Sequence, residues 1–203
     1  MKEEVYENLN KPNKVILWVF IVILALFEVY ALLNKNQFRY DSVVMLVLLI
    51  GVFFIRKKIM LHPLHFALFG IFLSLHNLGA FGAYGLEPLG MEFDFYVHSY
   101  FGLVSSLILY RTYSKVGYYR GWFMIVAILA VVLGFSAFHE IVEFLGAVTL
   151  GEGEGFLFIG VGDLDRFDTH KDMLNNFIGA VVGLSLYGIY LYMNDKTNKK
   201  KKR

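Results

Sequence analysis

Six apolar stretches constrain this chain more than any other feature, because each is near the length that crosses a bilayer: roughly residues 15–33, 41–55, 59–81, 95–110, 122–145 and 172–193. Hydrocarbon offers a backbone N–H or C=O no water to bond, so a stretch of about twenty such residues must satisfy itself as a helix. The alternating in/out strands of a membrane barrel are absent. With 57% hydrophobic and 18% charged residues, the composition exceeds what a soluble core holds. The expected fold is an all-α polytopic membrane bundle of six transmembrane helices, residues 15–193, set between a cytoplasmic N-terminal segment, 1–14, and a basic cytoplasmic tail, 194–203. The second stretch is short for a full crossing. The first is too long for a cleaved signal and has no small-x-small site after it, so it is read as a permanent span. The chain has no cysteine, which excludes disulfides, thiolate metal sites and cysteine nucleophiles.

Lys and Arg divide unequally between the two sides that six crossings define. Fifteen fall in the N-terminal segment, the second and fourth connections and the tail, against four on the other side (Lys35, Arg39, Arg166 and Lys171). The positive-inside bias then places both termini in the cytoplasm. Eleven of the seventeen carboxylates lie on or near the outer side, from Glu87 to Asp172, and Glu28 sits in the outer half of the first span. The tail, KTNKKKKR, is expected to stay disordered near anionic lipid. It serves topology rather than nucleic acid, which is not expected as a partner.

On helices these outer acids share faces. The fifth span carries GFSAFHEIVEFLG at its far end, where His139 lies roughly 25 Å from the span's start, and a charge held in hydrocarbon costs a few kcal/mol. His139 and Glu143 are four apart, and Glu140 and Glu143 three apart, so each pair is a neighbour on the helix surface. The fourth span opens with DFYVHSYFG, which puts Asp94 and His98 on one face. On the sixth, Asp168, Asp172, Asn175 or Asn176, Gly179 and Gly183 form a stripe. The third brings His76 and Asn77 to its outer third. Four helices therefore offer polar groups at one height, which points to a polar pocket open to the outer face. The Gly179-x-x-x-Gly183 spacing lets a neighbouring helix approach closely.

The last of these segments, DLDRFDTHKDMLNNFIGA, carries the run Asp165-x-x-Asp168-x-x-Lys171-Asp172-Met173. Opening a glycine-rich final helix, it resembles the YjdF-type family of small inner-membrane proteins. There, as here, it follows an E-x-x-E helix (Glu140, Glu143) and an earlier D-x-x-x-H helix start (Asp94, His98). More distantly the chain is similar to the VanZ-like group, named for a glycopeptide-resistance protein. The resemblance spans roughly residues 60–190 and leaves the first span out. It implies a polytopic helical bundle of poorly defined activity. It marks Asp94, His98, Glu140, Glu143, Asp168, Lys171 and Asp172 as matched positions. His139 and the GEGEGFLFIGVGD loop have no counterpart in that pattern.

Two chemistries suit the cluster. His139 and Glu143 could offer two ligands from one helix, with His98 and Asp172 or Asp168 completing a mixed N/O site for Zn²⁺ or Mn²⁺. The same groups could instead form a structural or proton-exchanging network, with His76, Asp94, Asn175 and Asn176 lining the pocket. The glycine-rich loop is expected to form a hairpin over it. DLDRFD fails as a calcium loop, because its sixth position is Asp168 and its twelfth Leu174. An acid at a helix start also caps free N–H groups, a role that suits Asp168 or Asp172. His62 and His65, beside Pro63, are read as interfacial.

The favoured function is a membrane-embedded, metal-assisted hydrolase or transferase acting on a lipid or lipid-linked envelope substrate. Glu140 or Glu143 would be the general base, Asp168 and Asp172 would hold the metal or orient the substrate, and Lys171 is counted with them among the catalytic candidates. So acidic a wall admits a phosphoester only through a bridging cation. The alternatives are a binding or scaffold protein with a structural polar network, and a proton- or cation-coupled transporter. No internal repeat supports the latter.

Overall fold

The computed structural model describes residues 2–36, 38, 40–116, 121–151 and 167–201. The glycine-rich loop expected over the pocket, and Asp165 of the aspartate motif, lie outside the described residues. Within the described residues six α-helices follow one another: α1 (Lys2–Leu33), α2 (Asp41–Ile55), α3 (Pro63–Ala80), α4 (Phe93–Val116), α5 (Trp122–Leu150) and α6 (Asp168–Lys201). Two short 3-10 turns, Ala83–Gly85 and Pro88–Gly90, join α3 to α4. No strand occurs among the described residues, so the all-helical expectation holds.

Among the described residues, four segments are long and apolar enough to cross a membrane: Leu9–Leu33, Pro63–Ala80, Trp122–Thr149 and Asp168–Asn194. α2 is apolar throughout but has only 15 residues. α4 has 24 residues but mixes Asp94, His98, Arg111 and Lys115 into its length. Its polarity fits its place, since it packs against α3, α5 and α6.

Most helices run a few residues past the apolar stretches, and three boundaries differ in an informative way. α1 begins at Lys2 rather than near residue 15, and α6 runs through the expected disordered tail to Lys201. A helix already nucleated in the span adds further turns at little cost, lysine is a good helix former, and cations suit a helix C-terminus. α3 starts at Pro63 rather than residue 59, because proline excludes the residue before it from helix and itself suits the first turn. The His62 Nδ1 caps that end, accepting from the Leu64 N–H at 3.3 Å.

The helices form two groups of three. Phe20, Leu24, Met45, Leu49, Leu61, Phe66 and Leu73 build one core between α1, α2 and α3. Met124, Ile128, Val132 and Ala180 build a second between α5 and α6, with Phe101, Leu109 and Tyr110 of α4 packed against it. At the basic end, the turn before α3 is tied down from both sides. Asn13 Nδ2 donates to the Leu61 carbonyl at 3.1 Å, Arg111 Nε to that of Met60 at 3.1 Å, and the Thr112 hydroxyl to that of Ile59 at 2.9 Å.

The α4–α6 crossing is the tightest contact. A Cβ on Gly179 would fall on the Ser99 carbonyl oxygen, one on Gly102 on the Asn176 carbonyl oxygen, and one on Gly183 on the Ser106 hydroxyl. The glycine spacing read from the sequence therefore does admit a neighbour, and the neighbour is α4. Outward faces are apolar: Trp18, Leu26, Phe138, Ile141, Val148 and Ile189 are all exposed. In water such a surface would drive association. In hydrocarbon it is the solvated face.

Candidate functional site

The close α4–α6 approach places the start of one helix against the start of the other. His98 Nε2 lies 3.3 Å from Asp94 Oδ1, one turn earlier on α4. It lies 3.7 Å from Asp172 Oδ2 on α6. Ligand atoms of Asp94, His98 and Asp172 all fall within 4.8 Å of one another. Asp172 is 5% exposed, and its Oδ1 is buried with no hydrogen-bond partner. The Asp94 and Asp172 carboxyls are within hydrogen-bond reach of each other. Carboxylates so close need a shared proton or a cation between them.

Behind His98 the network continues into α5. Asn176 Nδ2 lies 3.0 Å from His98 Nδ1 and 2.7 Å from the Ser136 Oγ. Of the two asparagines the stripe allowed, Asn176 is therefore the inward one, at 1% exposure. Asn175 is only half-buried and makes no such bridge. α5 adds His139, whose Nε2 sits 3.1 Å from Glu143 Oε1 and whose ring centroid is 6.2 Å from that of His98. Glu140 does not share this wall. One residue on from His139 is about 100° round the helix, which turns Glu140 to the α5–α6 seam, where it is buried near the Thr169 side chain.

The α3–α4 connection closes one side. Tyr84 packs its ring against Gly79, where a Cβ would collide with it, and its hydroxyl is 3.3 Å from His76 Nδ1. Tyr96 Oη donates to the Pro88 carbonyl at 2.7 Å and holds the second short turn in place. Burial, with Asp94 and Glu143 nearby, pushes the Tyr84 phenol well above its ordinary range, so it stays a neutral hydrogen-bonding group at any working pH. Tyr84→Phe should remove about 1 kcal/mol of hydrogen bonding. In thermal unfolding in detergent, the midpoint should fall roughly 2–4 °C, by the same amount at pH 6 and pH 9.

The resulting cavity has a volume of about 440 Å³ and is lined by Tyr84, Gly85, Glu87, Glu92, Asp94, His98, His139, Glu143, Asp168 and Asp172. Of the residues the sequence singled out, Asp94, His98, His139, Glu143, Asp168 and Asp172 meet there. His76 lies behind His139 at a centroid distance of 6.5 Å. Lys171 turns outward, half-exposed, 3.9 Å from Glu92 Oε1.

A family described as "Predicted membrane protein (DUF2238)" matches residues 13–193, nearly the whole chain. The chain belongs to this family. It is also 27% identical over 137 residues to the inner membrane protein YjdF of Escherichia coli strain K12, an alignment covering 62% of this chain and 65% of that protein, just under two thirds of its length. No solved structure matches. The YjdF-type resemblance is thus shown, while the more distant likeness to VanZ-like proteins has no counterpart in these matches. The family match corrects one point: it takes in α1, which the motif-based resemblance had left out. As a DUF2238 member with several apolar helices, the chain is a multi-pass inner-membrane protein in contact with lipid.

Three residues at this DUF2238 site were not singled out from the sequence. Tyr84 sits in a connection without periodicity, so nothing there signalled a side chain that lines the cavity. Ser136 and Thr169 are ordinary small polar residues, although Ser136 is one turn before His139 on the same face.

Proposed function

We propose that the acidic end of the bundle binds one divalent cation through Asp94, His98 and Asp172, and that this DUF2238 protein is a metal-assisted hydrolase or transferase for a lipid or lipid-linked envelope substrate. One observation carries the reading: three ligand atoms gathered from two helices, among them the buried Asp172, whose Oδ1 has no hydrogen-bond partner. Tetrahedral ligands at 2.0–2.2 Å from zinc are about 3.4 Å apart, so small side-chain rotations would close the set. The donor types, imidazole and carboxylate, suit Zn²⁺ or Mn²⁺. This set differs from the one the spacing suggested, as Asp94 replaces the His139–Glu143 pair among the ligands.

That pair is then left facing the cavity as a second functional unit. Glu143 lines the cavity and His139 holds it at 3.1 Å, an arrangement suited to accepting a proton from an attacking water or hydroxyl. Glu140, turned to the α5–α6 seam, is a positioning group. The cation would supply Lewis acidity and offset the acidic wall, which otherwise repels phosphate. With the positive-inside bias, the cavity opens to the outer side, where lipid headgroups lie.

A second reading, a structural or proton-sharing network, draws on the same Asp94–Asp172 contact, because a shared proton would also relieve it. Metal analysis of the detergent-purified full chain separates the two. Wild type dialysed against micromolar Zn²⁺ or Mn²⁺ should retain about one equivalent, and His98→Ala/Asp172→Ala none. Folded wild type retaining no metal would leave the network reading in its place. Zinc or manganese bound equally by the double variant would place the site elsewhere.

A further inference from the structure

Asn176 contacts His98 on the side away from the acids, and that contact bears on which imidazole nitrogen can reach a cation. As placed, the Asn176 Nδ2 faces both His98 Nδ1 at 3.0 Å and Ser136 Oγ at 2.7 Å, while its Oδ1 is buried with no hydrogen-bond partner. In that orientation Nδ1 accepts, the imidazole proton sits on Nε2, and Nε2 donates to Asp94 at 3.3 Å. A protonated Nε2 has no lone pair for a metal.

An amide has two ends of nearly equal shape, and its direction follows from the hydrogen bonds it makes. Turned by 180° about its last side-chain bond, Asn176 would present Oδ1 to the same two neighbours. It would then accept from the Ser136 hydroxyl and from a protonated His98 Nδ1. The Nε2 lone pair would be left pointing between Asp94 and Asp172. We propose that Asn176 is the positioning residue of the site: its amide turns with the cation and fixes the His98 tautomer that ligates through Nε2. This rests on the metal reading above. The imidazole stays neutral throughout, since Nδ1 gains a proton as Nε2 gives one up.

Histidine ligands commonly donate their other N–H to an oxygen that fixes ring and tautomer, and losing that partner costs about 10–100-fold in metal affinity. Here the oxygen comes from α6, the hydroxyl that steadies it from α5 and the imidazole from α4. The close packing at Gly102, which touches the Asn176 carbonyl, holds α4 and α6 in register for the contact.

The test is competitive Zn²⁺ titration of the full chain in detergent. Asn176→Leu, which fills the space but accepts nothing, should bind about 10–100-fold more weakly than wild type. Asn176→Asp can only accept from Nδ1–H, and should bind as tightly as wild type or more so. Nitrogen-15 shifts of labelled histidine should show Nδ1 protonated and Nε2 metallated in the zinc-loaded wild type. Should Asn176→Leu fail to fold, Ser136→Ala and the histidine shifts carry the test, with several-fold weaker binding expected. Wild type that binds no zinc would overturn the metal reading and this one together. Wild type that binds zinc, with Asn176→Leu unchanged or with Nδ1 on the metal, would overturn this one alone.

Discussion

Gly179→Leu is expected to leave almost no folded protein. The residue lies where α6 presses on α4, and even a Cβ there would fall on the Ser99 carbonyl oxygen, with the Leu103 backbone close behind. Overpacking a tight core costs about 1–3 kcal/mol, and more where the obstacle is backbone that cannot rotate aside. A leucine would force two helices apart along their most extensive contact. Gly188→Leu, on the same helix, is the matched control. A Cβ there meets nothing within 4 Å, and the change should be neutral. Size-exclusion yield and thermal unfolding of both variants in detergent make the comparison. Equal behaviour of the two would mean that α4 and α6 do not cross at Gly179. The milder Gly179→Ala should fold with a lowered midpoint. It should also bind metal more weakly, because Asp94 and His98 ride on one of these helices and Asp172 on the other.

Asp172→Asn should move stability and binding in opposite directions. The Asp172 carboxyl is buried, within hydrogen-bond reach of Asp94 and near Glu140 and Asp168. Gathering carboxylates out of water opposes folding unless something binds between them. An amide keeps the shape, carries no charge and can donate to Asp94. Without metal, the variant should gain about 1 kcal/mol, a rise in midpoint of roughly 2–4 °C. With metal, a ligand is missing, and Zn²⁺ affinity should fall about 100-fold or more, beyond what a supporting residue costs. Titration and thermal unfolding on one preparation give both readouts. A variant less stable without metal, and unaltered in zinc affinity, would mean that Asp172 supports packing rather than a ligand.

The two variants probe features that the sequence revealed to different degrees. The stripe through Asp168, Asp172, Gly179 and Gly183 was visible because a helix repeats every 3.6 residues, so spacing alone puts these side chains on one face. The small residues on it announced a close neighbour. Nothing in the spacing said that the neighbour would be α4, or that Gly102 would meet Asn176. Asn175 and Asn176 were inseparable on periodicity, since both sit near the stripe. Only the crossing with α4 and α5 shows which one reaches His98 and Ser136. Glu140 shows the converse, because its i,i+3 relation to Glu143 suggested a shared wall that α6 occupies instead.

The Tyr84 connection and the chain ends were hidden for other reasons. A loop has no period, so its cavity-lining side chains carry no signature, and Tyr84 becomes part of the site only because Gly79 leaves room for its ring. The N-terminal segment and the basic tail looked like flanks because they are polar. Helix continuation follows from the turn that precedes it, and polarity does not forbid it.

Sequence alone determined the all-helical membrane architecture and the gathering of acids at one end of it. Lipid permits few backbone solutions, and both length and charge are written directly in the residues. Only the tertiary structure decided the trio of Asp94, His98 and Asp172, with Asn176 behind it. Which side chains come within bonding distance depends on how closely α4 and α6 approach and at what register, a result of packing between segments some eighty residues apart.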